Sequence, residues 1–481
     1  MRTPAAAERV RYVGTADAAF ADAVRARNPR AEVLTGAAEA APVDVLAAED
    51  LGRLLADPVA SALLGHTQVL TSAIPGGTRD AGALLSDLTT RGFTMLHLQA
   101  VAEPDAYFDD IADDLVEPWR AGRLSAEPTP RALVAVARRG EGRPRLLLSM
   151  FTFAPNLMDI RTRLPAEAMR SEPEILLQHT RPVRQLPPAP LDQPKIFLLQ
   201  RPAPPLDVEG WKNAMLARIR EGWITVLEFD DHPALTARAN NREMRDADWI
   251  RFSWAHAVQT STPLLLDLFR QHNPETRLFP NAVFRLEKFP ENLPKRVFYG
   301  AFGRGAHAVE TAASLGPAIA EFPGVEFVVV GDRAVFDALP AVRKRYHEVL
   351  PYEDYLKLMG TCAISLSPIE ASDLHAAKSD AKFLDAAARG VLTIASPTIY
   401  SDVIRHRENG LIAPAISDWA PTLAEALRDD DARRRMARNA WDYVRGSRMF
   451  ADQVRARHDW YRDLWARREA LNAAMLTRMN R

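Results

Sequence analysis

The segment KSDAKFLD, Lys378 to Asp385, sets two ammonium groups, a hydroxyl and two carboxylates within eight residues. Behind it, Phe383, Leu384, Ala387 and Ala388 recur at the spacing of an inward-facing helical stripe. That spacing predicts a short amphipathic helix with Ser379 as its N-cap and Asp380 in the first turn, where a negative charge suits the dipole. Gly390 fits the C-terminal cap, and VLTIAS supplies a buried strand after it. A helix start leaves backbone N–H groups unpaired, so it attracts anions before any side chain is counted. Lys378, Ser379 and Lys382 add to that attraction, and Asp385 shares the Lys382 face one turn deeper. An ionised carboxylate can accept from two hydroxyls at once, and a ribose diol offers that pair. A cationic helix mouth backed by a carboxylate is therefore a pattern for a nucleoside diphosphate. The plain alternative is a solvated helix with an ordinary cap and a Lys–Asp surface pair.

Other polar groups are predicted at the ends of strands. RVFYGAFGRGAH reads as a strand, a loop carrying Arg304, and a helix. In a parallel sheet the strand C-termini and the following helix N-termini share one edge, which puts Arg304 on the same edge as Ser379 and Lys382. EFDDHP ends another strand with Asp230, Asp231 and His232. Carboxylates and imidazole are metal ligands, but neighbouring strand residues face opposite sides, which favours a cleft-lining role over a metal site. LQRP and QTST end strands on that edge too, and make Arg201 and Thr260 cleft candidates.

These groups need a scaffold, and 481 residues suffice for about three domains. Apolar content of 47% with 26% charged residues is ordinary for a folded chain, and a net charge of −1 gives no general pull toward nucleic acid. The single cysteine, Cys362, excludes an internal disulfide and a multi-cysteine zinc site. No apolar run reaches the roughly 18 residues of a spanning helix, and the charged start lacks a signal-peptide pattern, so the reading is a cytoplasmic protein.

Residues 1–140 read as a small Ala/Arg-rich α/β domain. In 141–292, the runs RLLLSMFTF, EILLQHT, KIFLLQRP and WITVLEFDD alternate with helical stretches. In 293–455, RVFYGAF, VEFVVVGD, CAISLSP and VLTIAS do the same, and 456–481 reads as part of a long terminal helix. Apolar strands alternating with helices indicate parallel sheets covered on both faces. The expected fold is α/β, with two consecutive doubly wound domains behind a smaller appendage.

From about Val297 to Trp465 the chain resembles the nucleotide-binding half of GT-B glycosyltransferases, closest to retaining family 4-like bacterial enzymes of surface-polysaccharide assembly. VFYGAFGR, VVGDRAVFDALP, LPYEDYLKLM, LSPIEASDLHAAKSDAKFLDAAARG, ASPTIYSDVI and NGLIAP follow the family's order and spacing. The resemblance implies a nucleotide-diphosphate sugar as donor substrate, a glycan or glycoconjugate acceptor, and no cofactor or metal. It implies that Arg304 and Lys382 contact the diphosphate, with Lys378, Ser379 and the following amides completing the cradle. Asp385 stands where most relatives hold the ribose with a glutamate. Glu370 is the candidate first acid of the motif, near the donor sugar, at fifteen residues before Asp385 rather than the usual eight. Leu350 to Tyr352 would meet the nucleobase. Asp231 is the candidate catalytic group of the acceptor side, beside the cleft residues Arg201, Asp230, His232 and Thr260.

Residues 1–140 resemble a degenerate class I methyltransferase domain. One glycine, Gly14, follows the first strand where a glycine-rich cofactor loop belongs, so a structural or acceptor-recognition role is expected. Two other functions stay open on sequence: a GT-B-type nucleotide-sugar epimerase, and a non-catalytic scaffold of a polysaccharide-assembly complex. The Trp/Arg-bearing terminal helix either braces the second domain or touches a membrane surface.

Overall fold

The computed structural model describes residues 3–37, 41–75, 81–103, 106–107, 132–140, 144–152, 159–172, 174–179, 186, 189–203, 205, 207–239, 241–300 and 305–480. Among them, nineteen strands form three sheets, so the chain is α/β with parallel sheets. The first sheet comprises β1 (Arg9–Val13), β2 (Glu32–Thr35), β3 (Val43–Ala48), β4 (Thr67–Pro75), β5 (Phe93–Glu103), β6 (Ala106–Tyr107) and β7 (Ala132–Arg139). Its order is β2-β1-β3-β4-β7-β5-β6, with β1 to β4 parallel and β7 antiparallel to both β4 and β5.

The second sheet holds β8 (Leu146–Thr152), β9 (Ile175–His179), β10 (Lys195–Gln200), β11 (Ile224–Phe229), β12 (Ala257–Thr260) and β13 (Thr276–Leu278), in the order β13-β12-β11-β10-β8-β9. The third holds β14 (Arg296–Gly300), β15 (Glu326–Val330), β16 (Lys344–His347), β17 (Ile364–Ser367), β18 (Leu392–Ala395) and β19 (Leu411–Ile412). Its order is β16-β15-β14-β17-β18-β19, parallel throughout. The central strands are apolar without alternation because both faces are covered: every residue of β17 and β18 is buried.

The chain forms two compact units. One contains Met1–Met150, Leu164–Phe197 and Gln453–Ala466; the other contains Phe151–Arg163, Leu198–Asp452 and Arg467–Arg481. The first unit thus takes in parts of 141–292 together with 1–140, and the terminal segment is divided between the two units. The expected long terminal helix is two helices, Ala451–Ala466 and Arg468–Met479, with Arg467 between them. Each half packs within its own unit. In the second unit, Met475 and Met479 cluster with Met215, and Asn472 Oδ1 lies 2.9 Å from His256 Nε2. Burial pushes that imidazole down to about 4, so it is neutral.

In the first unit, the loop after β1 is packed by Glu49, which follows β3. Glu49 accepts from the Tyr12 hydroxyl, from Thr15 N at 2.9 Å and from Thr15 Oγ1 at 3.0 Å. A Cβ added at Gly14 would meet Glu49 and the Tyr12 hydroxyl at 2.5 Å.

In the second unit, the strand β16 carries the polar run KRYH, which periodicity alone does not mark as a strand. Its Lys344 ammonium donates to the carbonyls of Phe336 and Leu339, each at 2.7 Å. Cys362 lies buried just before β17, and burial pushes its thiol up to about 12. No helix among the described residues is long and apolar enough to cross a membrane.

Gly390 turns the chain from the helix Ala381–Ala387 into β18 at φ +67°. A Cβ there would sit 2.5 Å from Pro290 Cδ and 3.0 Å from the Phe289 ring. Gly390→Ala therefore carries both left-handed strain and a contact with a rigid ring. We expect a loss of about 1–3 kcal/mol, read as a lower urea midpoint of the full chain.

Candidate functional site

The third sheet fixes where a ligand edge lies. Strand order runs outward in both directions from β14 and β17, so the two connections leaving their C-terminal ends go to opposite faces and open a crevice between them. Gly300 ends β14 on this edge, and a Cβ there would come 2.7 Å from the Tyr355 hydroxyl, so the backbone and Tyr355 approach closely. The helix Ala381–Ala387 follows β17 and buries Phe383, Leu384, Ala386 and Ala387, which turns Lys382 and Asp385 toward the edge. Lys382 Nζ donates to the Gly300 carbonyl. Arg304, four residues past Gly300, lies outside the described residues.

One turn deeper, Asp385 Oδ1 accepts from the Tyr352 hydroxyl at 2.6 Å. Tyr352 opens the helix Tyr352–Met359, and Leu350 just before it packs against the buried cluster that holds Phe298, Val328 and Val330. Burial raises the Asp385 carboxyl to about 6, although the Tyr352 bond, Arg389 and Lys382 all pull it down. Tyr352 is pushed well above its ordinary value, by burial first and then by Asp385. The pair is thus an acid and a phenol with one shared proton contact, in a site that disfavours charge.

Ahead of the helix, the turn 377–380 is held on every side. Thr262 Oγ1 donates to the Ala377 carbonyl at 3.1 Å. Lys378 Nζ lies 3.2 Å from Asp231 Oδ2. Ser379 Oγ accepts from Asn281 Nδ2 at 2.7 Å. Asp380 is clasped by Arg448 through two bonds, at 2.6 and 3.0 Å. The expected N-cap is corrected here: Asp380, not Ser379, holds the cap position, and no side chain caps the helix. The reason is competition, since Asn281 takes the Ser379 hydroxyl and Arg448 takes the Asp380 carboxylate.

The strand ends of the second sheet supply the facing groups. Arg201 follows β10 at φ +46°, a left-handed conformation that costs a non-glycine residue about 1–3 kcal/mol. Its amide donates to Glu228 O at 2.9 Å. Its guanidinium lies 2.6 Å from Asp230 and 3.4 Å from Asp231. Burial alone would raise Asp230, but Arg201 and Arg161 outweigh it and hold the carboxyl below its usual value. Arg201, Asp230, Asp231 and Lys378 therefore form one compact cluster of two cations and two anions.

The other sequence candidates are placed differently. His232 Nδ1 accepts from Ala234 N at 3.1 Å, at the start of the helix Pro233–Ala239, and burial lowers its pKa. The Thr260 hydroxyl donates to the Phe229 carbonyl at 2.6 Å within the sheet. Glu370, 64% exposed, approaches His375 at 4.0 Å and joins neither cluster. Among the described residues no three His, Cys, Asp or Glu side chains converge as a metal site requires. Sequence reasoning missed Asn281, Arg161 and Arg448, whose partners around the turn lie 67 to 167 residues away along the chain.

Residues 310–462 match the family described as glycosyl transferase-like. No curated protein matches the chain. Among solved structures, a point mutant of TarM from S. aureus, in complex with fondaparinux, alpha-GlcNAc-glycerol and UDP, is similar at 12% identity and a TM-score of 0.43. That similarity covers 56% of this chain and 55% of TarM, so the chain spans little more than half of that protein. HepE of Anabaena, in complex with UDP and glucose, is similar at 12% identity over 66% of this chain and 98% of its own, with a TM-score of 0.46. A glycosyltransferase from Rickettsia africae ESF-5 gives 11% identity over 67% and 99%, with a TM-score of 0.44.

The raised carboxyl has a measurable sign. Asp385 titrates near 6 when folded and near 3.8 when unfolded, so its ionisation weakens the fold as pH rises through that window. Asp385→Asn keeps an acceptor for Tyr352 and removes the charge. We expect it to stabilise the ligand-free chain by about 3 kcal/mol at most at pH 7, with the gain fading toward pH 4, as read by urea unfolding at both values.

Proposed function

We propose that the chain is a GT-B glycosyltransferase that moves a sugar from a nucleoside-diphosphate donor to a glycan, lipid-linked or protein acceptor. One observation carries the reading. The Lys382 ammonium meets the Gly300 carbonyl at the point where the third sheet reverses its strand order. A cation at that crevice, with the Tyr352–Asp385 pair one turn deeper, suits a diphosphate joined to a ribose. The match of residues 310–462 to the glycosyl transferase-like family supports the same assignment.

The chemistry follows from charge. Cleavage of the anomeric C–O bond leaves positive charge on the sugar and negative charge on the departing phosphate. Lys382 offsets the latter as a fixed cation, without reorganisation at the moment of transfer, and the sequence resemblance adds Arg304 as a second cation. In this reading no metal is needed, since the two cations do its work. Asp385 accepts from the ribose hydroxyls, and the Leu350–Tyr352 segment meets the base. Asp231, between Arg201 and Lys378, serves the acceptor side. We assign transfer with retention and a place in surface-polysaccharide or glycoconjugate synthesis from the sequence resemblance.

Residues 1–140 read as a degenerate methyltransferase-like scaffold, and the antiparallel β7 between β4 and β5 supports that. S-adenosylmethionine does not fit there: Glu49 fills the space beside Gly14 where such a cofactor would approach the backbone. No step is assigned to it.

A thermal-shift screen of nucleoside diphosphates and nucleotide sugars tests the binding half of this reading. A ligand at a hundred times its Kd adds about 2.7 kcal/mol of stability. For the chemical half, Lys382→Ala is expected to lower sugar transfer about a hundredfold while the protein remains folded. Unchanged turnover in that variant would sink the assignment.

A further inference from the structure

We infer that Arg161 and Asn281 form a positioning relay that fixes the direction of the Ser379 hydroxyl; this rests on the nucleoside-diphosphate reading of the same turn. Arg161, 3% exposed, is held first by Glu228, which is fully buried: Nε donates to Glu228 Oε1 at 2.8 Å. Glu228 also accepts from Gln259 through its other oxygen. Nη1 of Arg161 donates to the Phe279 carbonyl at 3.3 Å and to Asn281 Oδ1 at 2.6 Å.

The last contact decides an orientation. A guanidinium has donors and no acceptor, so the atom of Asn281 that faces it must be the carbonyl oxygen. The opposite flip would set two donors against each other at a residue only 5% exposed. The amide nitrogen therefore faces Ser379 and donates to Oγ at 2.7 Å. The backbone of Asn281 is fixed as well, because Arg448 Nη2 donates to its carbonyl at 2.9 Å while clasping Asp380.

With Oγ accepting from Asn281, the Ser379 proton points away from Asn281. It meets no acceptor among the described residues. Its one donor is thereby aimed away from Asn281 and left available to give, at the start of the helix that carries Lys382. That is the polarity a phosphate oxygen requires. Neither Asn281 nor Arg161 needs to touch the ligand; both act through Ser379.

Calorimetric titration of nucleoside diphosphates into the full chain tests the relay. Asn281→Asp keeps an acceptor for Arg161 but offers Ser379 a second one, turning its proton inward. We expect about tenfold weaker binding. Asn281→Ala leaves the hydroxyl free to rotate and is expected to cost about threefold. Ser379→Ala weakens the wild type but adds nothing in the Asn281→Asp background, and Ser379→Thr retains wild-type affinity. A residue that merely supported the turn would not show that coupling. If Ser379→Ala weakens binding while both Asn281 variants bind normally, or if the losses add, the relay is overturned and the site stands. If the wild type binds no nucleoside diphosphate, the underlying site reading is overturned with it.

Discussion

The arrangement depends most on how four consecutive residues, 377 to 380, are held. A short helix gives little anion attraction unless its first turn is rigid, and nothing local in KSDAKFLD supplies rigidity. It comes from Thr262, Asp231, Asn281 and Arg448, each of which grips a different residue of the turn. Fixed dipoles and cations stabilise a developing charge more than mobile ones because no reorganisation is needed during the reaction. In the proposed reading, the polar residues around the turn therefore matter as much as Lys382.

The buried Arg161–Glu228 pair shows the same logic one layer back. Two buried charges cost more in desolvation than their attraction returns unless the remaining donors and acceptors are satisfied. Here Gln259 serves the other carboxylate oxygen, and Phe279 and Asn281 serve Nη1 of the guanidinium. Such a pair contributes modestly to stability, and its value lies in fixing which atoms face the turn. Arg201, strained at φ +46°, likewise gives up local stability for position.

Much of the fold was legible because it depends on short-range pattern. Continuous apolar runs such as FVVV and LTIA mark strands covered on both faces, and Gly390 marks a helix end. The strand β16 was not legible, since KRYH owes its place to pairing with β15 and to lysine bonds made elsewhere. Around the candidate site, the shared helix face of Lys382 and Asp385 was legible from their spacing. Ser379 was given the wrong local role because capping preferences describe a helix alone, and a distant amide outcompeted them here. Asn281 and Arg448 had no local signal at all. Their significance arises from contacts across 98 and 68 residues of chain.

Cys362 carries a practical consequence. Thiolate is the reactive form of cysteine, and a buried thiol pushed up to about 12 supplies almost none at neutral pH. A second cysteine placed on an exposed helix would then react selectively with a maleimide dye or spin probe. Spectroscopic labelling can accordingly start from the natural chain, with no thiol-free background to engineer.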